Sequence, residues 1–431
     1  MTPASTTAKV VPAARLRGRL TLPADKSIAH RALIFGALSG GPTTVTMRAP
    51  GRDVLSTLAC LRALGVAITD DGDGRFAISG RPSRDAELDC GNSGTTMRLF
   101  AGVVAGLPLR ATLDGDASLR ARPMERVATL LRAAGAEVTT TDGHAPLTVV
   151  GRATLNPTSH RLPVASAQLL AAAVLAGLSA KGETTIDTPG PTRDHTERML
   201  AFMGVPIHRD GQVTTLTGPA KPRPFELDVP GDPSAASAWL VAAALHPDAE
   251  LTMVNVGLNP TRLALVGLLQ RMGVEIETRV TRVSGSEPVG EMSVRAGKPL
   301  RSVSIGGGEV ADLIDELPLI AIAMASVDEP SDVRDASELR VKETDRIAAM
   351  VAGLRSIGAE VEELPDGWRV RRGTPRDARI ATHGDHRIAI AFAIAGLTGI
   401  ASAVELDDAD CASVSYPTFW QDMATVRDES T

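Results

Sequence analysis

Six times along the chain a short strand runs through a polar turn into a helix built almost wholly of Ala, Leu, Ile and Val. The turns are Pro23-Ala24-Asp25-Lys26-Ser27, Gly91-Asn92-Ser93-Gly94-Thr95, Pro163-Val164-Ala165-Ser166-Ala167-Gln168, Pro230-Gly231-Asp232-Pro233-Ser234, Ile314-Asp315-Glu316-Leu317-Pro318 and Thr382-His383-Gly384-Asp385-His386-Arg387. Self-similarity of this kind is read before any local signal, because it fixes the architecture. A helix that is apolar nearly all round belongs in an interior. Sheets must therefore cover these six helices, the reverse of the usual layering.

A second helix alternates with the first. Its copies end in Leu64-Gly65, Ala134-Gly135, Met203-Gly204, Met272-Gly273 and Ile357-Gly358, and a hairpin follows each. Glycine there fits the left-handed residue that closes a helix. The sixth copy, near Phe419-Trp420-Gln421-Asp422-Met423, is weaker. Each repeat mixes helices and strands and is too long for a simple solenoid unit. At 431 residues the chain exceeds what one core can organise, so three units in each of two domains are expected. Pro and Gly cluster at Val229-Pro230-Gly231-Asp232-Pro233, the expected junction.

Aromatic residues are only 3 % and the net charge is −6, which argues against stacked-base recognition and a nucleic-acid footprint. No apolar run reaches the length of a membrane span. Cys60, Cys90 and Cys411 are far apart and form no metal or disulfide framework, which fits a reducing cytoplasm.

Charged and amide side chains recur at the turns: Lys26, Ser27 and Arg31; Asn92, Gly94, Thr95 and Arg98; Ser166 and Gln168; Asp315 and Glu316; Asp385, His386 and Arg387. Helix starts favour anions through their backbone N–H groups. One such turn is a cap; several converging on a cleft make an anion site. Arg122 and Arg193 add guanidinium groups suited to phosphate or carboxylate. A further charged stretch, Arg340-Val341-Lys342-Glu343-Thr344-Asp345-Arg346, enters a helix capped by Thr344 or Asp345. Taken alone it reads as a solvated helix entrance. No phosphate-binding P-loop, dinucleotide fingerprint or serine-hydrolase elbow is present. His383 and His386 read as structural before they read as metal ligands.

These residues resemble a known family. Leu22-Pro23-Ala24-Asp25-Lys26-Ser27-Ile28-Ala29-His30-Arg31, Gly91-Asn92-Ser93-Gly94-Thr95, Arg122-Pro123-Met124, Ser166-Ala167-Gln168, Thr192-Arg193-Asp194-His195, Lys342-Glu343-Thr344-Asp345-Arg346 and Asp385-His386-Arg387 are similar to 3-phosphoshikimate 1-carboxyvinyltransferases (EPSP synthases), in particular the bacterial class often tolerant of glyphosate. The resemblance runs from about residue 16 to 423. It implies a two-domain inside-out α/β barrel with three βαβαββ repeats per domain. One domain would be discontinuous, residues 1–20 and 235–431, and the other, 21–234, inserted into it, with the active site in the cleft between them.

The implied reaction moves the enolpyruvyl group of phosphoenolpyruvate to the 5-hydroxyl of shikimate 3-phosphate and releases phosphate. It proceeds by addition and elimination through a tetrahedral intermediate, with no metal or organic cofactor. Carried over by motif, Asp315 would accept the hydroxyl proton, Glu343 would serve the methylene carbon, and Lys26 would assist proton transfer while contacting both substrates. Ser27, Arg31, Ser166, Ala167, Gln168, Arg193, Asp315 and Lys342 would hold shikimate 3-phosphate. Asn92, Gly94, Arg122, Gln168, Arg346 and Arg387 would hold phosphoenolpyruvate. A cytoplasmic monomer without nucleic-acid or membrane partners is expected.

The chain departs from the pattern at Ala24, where Gly is usual, and at Val414, where many members carry Lys. Glu125 and Gly384 also differ. The nearest alternative is a UDP-N-acetylglucosamine enolpyruvyl transferase, whose reactive loop cysteine Cys90 does not match. Others are an anion-binding paralogue without activity and an enolpyruvyl transferase with a different acceptor.

Overall fold

The computed structural model describes residues 6–297 and 299–427. The chain divides into two compact units. The inserted unit comprises Ala24–Val229 and Ser284–Glu287; the discontinuous unit comprises Met1–Pro23, Pro230–Val283 and Pro288–Thr431.

The six apolar helices are Lys26–Ser39, Gly94–Ala105 and Ala167–Gly177 in the inserted unit, and Pro233–Leu245, Leu317–Met324 and His386–Thr398 in the discontinuous one. All of Leu317–Met324 is buried, as is every residue from Ile28 to Ser39. A buried helix start needs partners for its first N–H groups. Five of the six supply them from their own cap: Asp25 accepts from Ile28 N, Ser93 from Thr96 N, Ser166 from Leu169 N, Asp232 from Ser234 N and Asp385 from Arg387 N. The fifth carries Pro318 in its first turn, which removes one such donor. Where Gly94–Ala105 crosses Ala167–Gly177, a Cβ on Gly102 would lie 2.5 Å from the Ala172 carbonyl oxygen. Glycine there sets how closely the two helices approach.

The alternate helices are one-sided. Glu125–Ala133 buries Val127, Ala128, Leu130 and Leu131 and leaves its other face wet. The glycines after five of them, Gly65, Gly135, Gly204, Gly273 and Gly358, have φ between +79° and +101°, as the spacing predicts.

Each full repeat ends in a four-stranded sheet of fixed order. Ala86–Asp89 pairs in parallel with Arg110–Asp114, which pairs antiparallel with His144–Val150, itself hairpinned to Glu137–Thr141. His144–Val150 alternates between buried and more exposed residues, so one face packs inward.

Two repeats exchange their leading strands. Leu16–Thr21 pairs in parallel with Ala249–Gly257 in the discontinuous unit, and Glu226–Asp228 pairs in parallel with Thr43–Thr46 in the inserted unit. This exchange places the chain crossings at Pro23/Ala24 and Val229/Pro230, beside the expected 20/21 and 234/235. The hairpin tip Ser284–Glu287 also joins the inserted unit. There Ser284 Oγ donates to the Asp228 carbonyl, and Glu287 Oε1 lies 2.8 Å from His195 Nδ1 with both side chains buried.

The sixth repeat is shorter than the others. Asp377–Ile380 pairs with Ala403–Leu406, and Ala8–Val10 from the other end of the chain occupies the edge where a hairpin stands elsewhere. That explains why its sequence copy is weak.

Candidate active site

In the inserted unit the polar side chains gather at the starts of the three inner helices. Lys26, at the first, places Nζ 3.0 Å from Asp53 Oδ2. Arg31, one turn further, is buried. Its Nε donates to Thr196 Oγ1 at 2.7 Å and its Nη1 to the Ser27 carbonyl at 3.0 Å. Burial pulls the Arg31 pKa down to about 10, opposed by the carboxylates of Glu197 and Asp25. Behind this turn His30 Nδ1 meets Thr57 Oγ1 at 2.7 Å, Thr57 meets Thr96 Oγ1 at 2.8 Å, and Thr96 donates to Ser93 Oγ. A buried polar chain thus ties the turn holding Lys26 to the turn holding Asn92 and Gly94.

At the second helix start, Asn92 is held from both ends. Its Nδ2 donates to Asp116 Oδ2 at 2.7 Å, and its Oδ1 accepts from Arg122 Nη2 at 2.8 Å. Arg98 Nη1 donates to Gln168 Oε1 at 2.7 Å, and Gln168 Nε2 donates to Thr95 Oγ1 at 2.9 Å. At the third start, Ser166 caps the helix through Leu169 N, and Ala167 and Gln168 form its first turn. Arg193 precedes the one-sided helix His195–Phe202 and is half-buried.

In the discontinuous unit the arrangement is denser. Asp345, not Thr344, caps helix Arg346–Ser356, so Lys342 and Glu343 lie just before it and Arg346 opens it. Arg346 is buried. Asp385 takes a fork from it, 2.8 Å from Nε and 3.2 Å from Nη2, and Glu343 Oε2 lies 2.6 Å from Nη2. Asp315 Oδ1 stands 4.0 Å from Arg346 Nη1 and 3.8 Å from Lys342 Nζ. Burial works against the Arg346 charge, but Asp385, Glu343 and Asp315 more than offset it and hold its pKa above the usual arginine range. Arg387 Nη1 is 3.7 Å from Glu316 Oε1. Glu316 also accepts from Ser234 Oγ, which itself takes Arg262 Nη2 at 2.8 Å.

In the inserted unit Lys26, Ser27, Asn92, Gly94, Ser166, Ala167 and Gln168 lie at the starts of the inner helices, Arg31 stands one turn into the first, Arg122 follows helix Ala117–Arg120, and Arg193 is near enough to act on Arg31; the other unit carries Asp315, Lys342, Glu343, Arg346 and Arg387. Sequence reasoning missed the partners Asp53 and Asp116. Asp53 lies in the first turn of the outer helix Arg52–Ala63 and Asp116 caps the short helix Ala117–Arg120, and no local pattern marks them. It placed Asp385 at a helix start and in a motif without a role, although Asp385 both caps a buried helix and forks onto Arg346. Among the described residues no three His, Cys, Asp or Glu side chains are grouped to hold a metal ion, and no helix is long and apolar enough to cross a membrane.

The family model of EPSP synthase (3-phosphoshikimate 1-carboxyvinyltransferase) matches residues 10–423. The chain is 47 % identical over 425 residues to the 3-phosphoshikimate 1-carboxyvinyltransferase of Roseiflexus castenholzii, covering 96 % of this chain and 98 % of that one. It is 44 % identical over 427 residues to that of Herpetosiphon aurantiacus, with the same coverage. The solved EPSP synthase of Acinetobacter baumannii superposes with a TM-score of 0.85 at 35 % identity, over 98 % of both chains. With the repeats, the sheet order and the clustered motif residues, these matches place the chain in the EPSP synthase (3-phosphoshikimate 1-carboxyvinyltransferase) family.

Proposed function

We propose the following division of labour for the reaction this chain performs, transfer of the enolpyruvyl group of phosphoenolpyruvate to the 5-hydroxyl of shikimate 3-phosphate with release of phosphate. The inserted unit supplies most of the anion grip. Ser27, Arg31, Ser166, Ala167, Gln168 and Arg193 take shikimate 3-phosphate, and Asn92, Gly94, Arg122 and Gln168 take phosphoenolpyruvate, with Lys26 touching both. The discontinuous unit supplies the proton chemistry and the remaining cations. Asp315 removes the 5-hydroxyl proton as the oxygen attacks C2 of phosphoenolpyruvate. Glu343 delivers a proton to the methylene carbon, then removes one as phosphate leaves. Lys342 steadies shikimate 3-phosphate, and Arg346 and Arg387 hold phosphoenolpyruvate.

The observation that carries this reading is the Asp315–Lys342–Arg346–Glu343 cluster. Two carboxylates of different surroundings lie around one guanidinium, as a base and an acid acting at neighbouring atoms require. Arg346 commits Nε and Nη2 to Asp385 and Glu343, so the Nη1 edge beside Asp315 is the one it turns to phosphoenolpyruvate. The motif resemblance supports the grip residues, and the placement of Lys26, Ser27, Gly94, Ala167 and Gln168 in the first turns of capped helices suits phosphate and carboxylate.

Phosphate release with shikimate 3-phosphate, against UDP-N-acetylglucosamine as acceptor, tests the assignment. Turnover with the first alone is expected; Asp315→Asn with near-normal turnover would remove Asp315 from the base role. We also place the enzyme in the cytoplasm as a monomer. The three buried free thiols support the compartment, and light scattering after gel filtration checks for a single-chain mass.

A further inference from the structure

We infer that Arg98 is a positioning residue that fixes the amide of Gln168, and that position 94 is glycine because the Arg98 guanidinium fills the space a side chain would take. The inference rests on the reading that Gln168 touches the substrates. Arg98 lies one helical turn after Gly94. Its Nη1 donates to Gln168 Oε1 at 2.7 Å and reaches the Gly94 carbonyl at 3.4 Å, while Nη2 reaches the Pro123 carbonyl at 3.4 Å. One guanidinium thereby links the Gly94 turn, the segment after Arg122 and the start of the third inner helix.

A primary amide can be turned over by a half rotation that exchanges its oxygen and nitrogen. A guanidinium only donates, so it accepts one orientation alone. With Oε1 on Arg98 and one Nε2 hydrogen on Thr95 Oγ1, the second Nε2 hydrogen is left as the donor Gln168 offers a phosphate or carboxylate. The same guanidinium explains the glycine. A Cβ on Gly94 would lie 2.7 Å from Arg98 Nη1 and 3.2 Å from Arg122 Nη1. Gly94 adopts ordinary helical backbone at the head of its helix, so conformational freedom is not the reason. An alanine there would press on the Arg98 guanidinium that holds Gln168.

The test is steady-state kinetics of Arg98→Met, Arg98→Lys, Gln168→Ala, Gly94→Ala and the double variants, with thermal melts alongside. Gln168→Ala is expected to raise the KM for phosphoenolpyruvate about tenfold, the scale of one charge-assisted hydrogen bond. Arg98→Met should raise it nearly as much with kcat within about threefold, and Arg98→Lys, which keeps the charge without the fork, should recover part of the loss. Arg98→Met with Gln168→Ala should be no worse than Gln168→Ala alone. Gly94→Ala should raise the KM in the unaltered chain and much less in the Arg98→Met background.

Multiplying effects of Arg98→Met and Gln168→Ala would overturn the inference. So would an equal effect of Gly94→Ala in both backgrounds, or an Arg98→Met variant that loses melting temperature and kcat together at constant KM. If Gln168→Ala itself leaves both KM values unchanged, the placement of Gln168 against substrate fails first, and the inference with it.

Discussion

The two units hold their clustered cations with different mixtures of partners. Within the inserted unit Arg31 donates to a threonine hydroxyl and a carbonyl, Arg98 to an amide and carbonyls, and Arg122 to an asparagine oxygen and a serine hydroxyl. These neutral acceptors orient the guanidinium groups, while Lys26 of the same unit pairs with Asp53 and the carboxylates of Glu197 and Asp25 act on Arg31. In the discontinuous unit Arg346 is gripped by Asp385 and Glu343, Lys342 and Arg346 flank Asp315, and Arg387 faces Glu316. There each of these cations faces at least one carboxylate. The pKa directions follow: Arg31 is pulled down by burial, and Arg346 is held up by its carboxylates against burial. Arg346 is ringed by carboxylates, whereas the contacts of Arg31 and Arg98 include neutral oxygens.

The sharpest way to break this contrast is Asp315→Asn, which keeps shape and removes the carboxylate proposed as the base. Turnover measured by phosphate release should fall by a factor on the order of 10² to 10⁴ with KM values little changed. Asp385→Ala should come next. It leaves a buried guanidinium without its fork, so denaturant melts should show a stability loss of about 3–5 kcal/mol. The same truncation at Thr196, which holds Arg31 through a hydroxyl, should cost less, about 1.5–3 kcal/mol. Equal losses at the two positions would erase the distinction. Arg31→Met should raise the KM for shikimate 3-phosphate about tenfold or more while leaving kcat nearly intact.

The smallest effect concerns pH. Burial, helped by the charges of Lys26 and Arg31, holds the His30 pKa well below the ordinary histidine value. Unfolded, His30 takes a proton near pH ~6.5. Below that pH the unfolded chain binds a proton that the folded chain refuses. The stability contributed by a neutral His30 is therefore intact above about pH 6.5 and lost progressively as pH falls below it. His30→Asn should flatten the melting temperature between about pH 6.5 and 5; an unchanged slope would assign the acid sensitivity elsewhere.

Local rules carried the sequence a long way. The apolar helices, their Asp and Ser caps and the glycines after the outer helices all follow from short-range chemistry, and so they could be read directly. The strand exchange could not, because nothing in Leu16–Thr21 or Glu226–Asp228 says which sheet will accept it; pairing partners are chosen by the packed whole. The site shows the same divide. Lys342, Glu343 and Arg346 stand out within one charged stretch, and that stretch heads an outer helix, not one of the six inner ones. Asp53, Asp116 and Glu316 matter through partners 27, 24 and 71 residues away, and each looks like an ordinary acidic residue near a helix start.

The exchanged strands carry a consequence for cutting and joining the chain. The inserted unit is nearly contiguous, from Ala24 to Val229, and already contains the strand that completes its first sheet. On the other side of the crossings, the Pro23 carbonyl accepts from Asp232 N at 2.9 Å. The two severed ends of the discontinuous unit would thus lie within a short linker of each other if the inserted segment were removed. The molecule is laid out as a host with a guest spliced into it, and a gene that closes Pro23 onto Pro230 tests whether the host remembers how to fold alone.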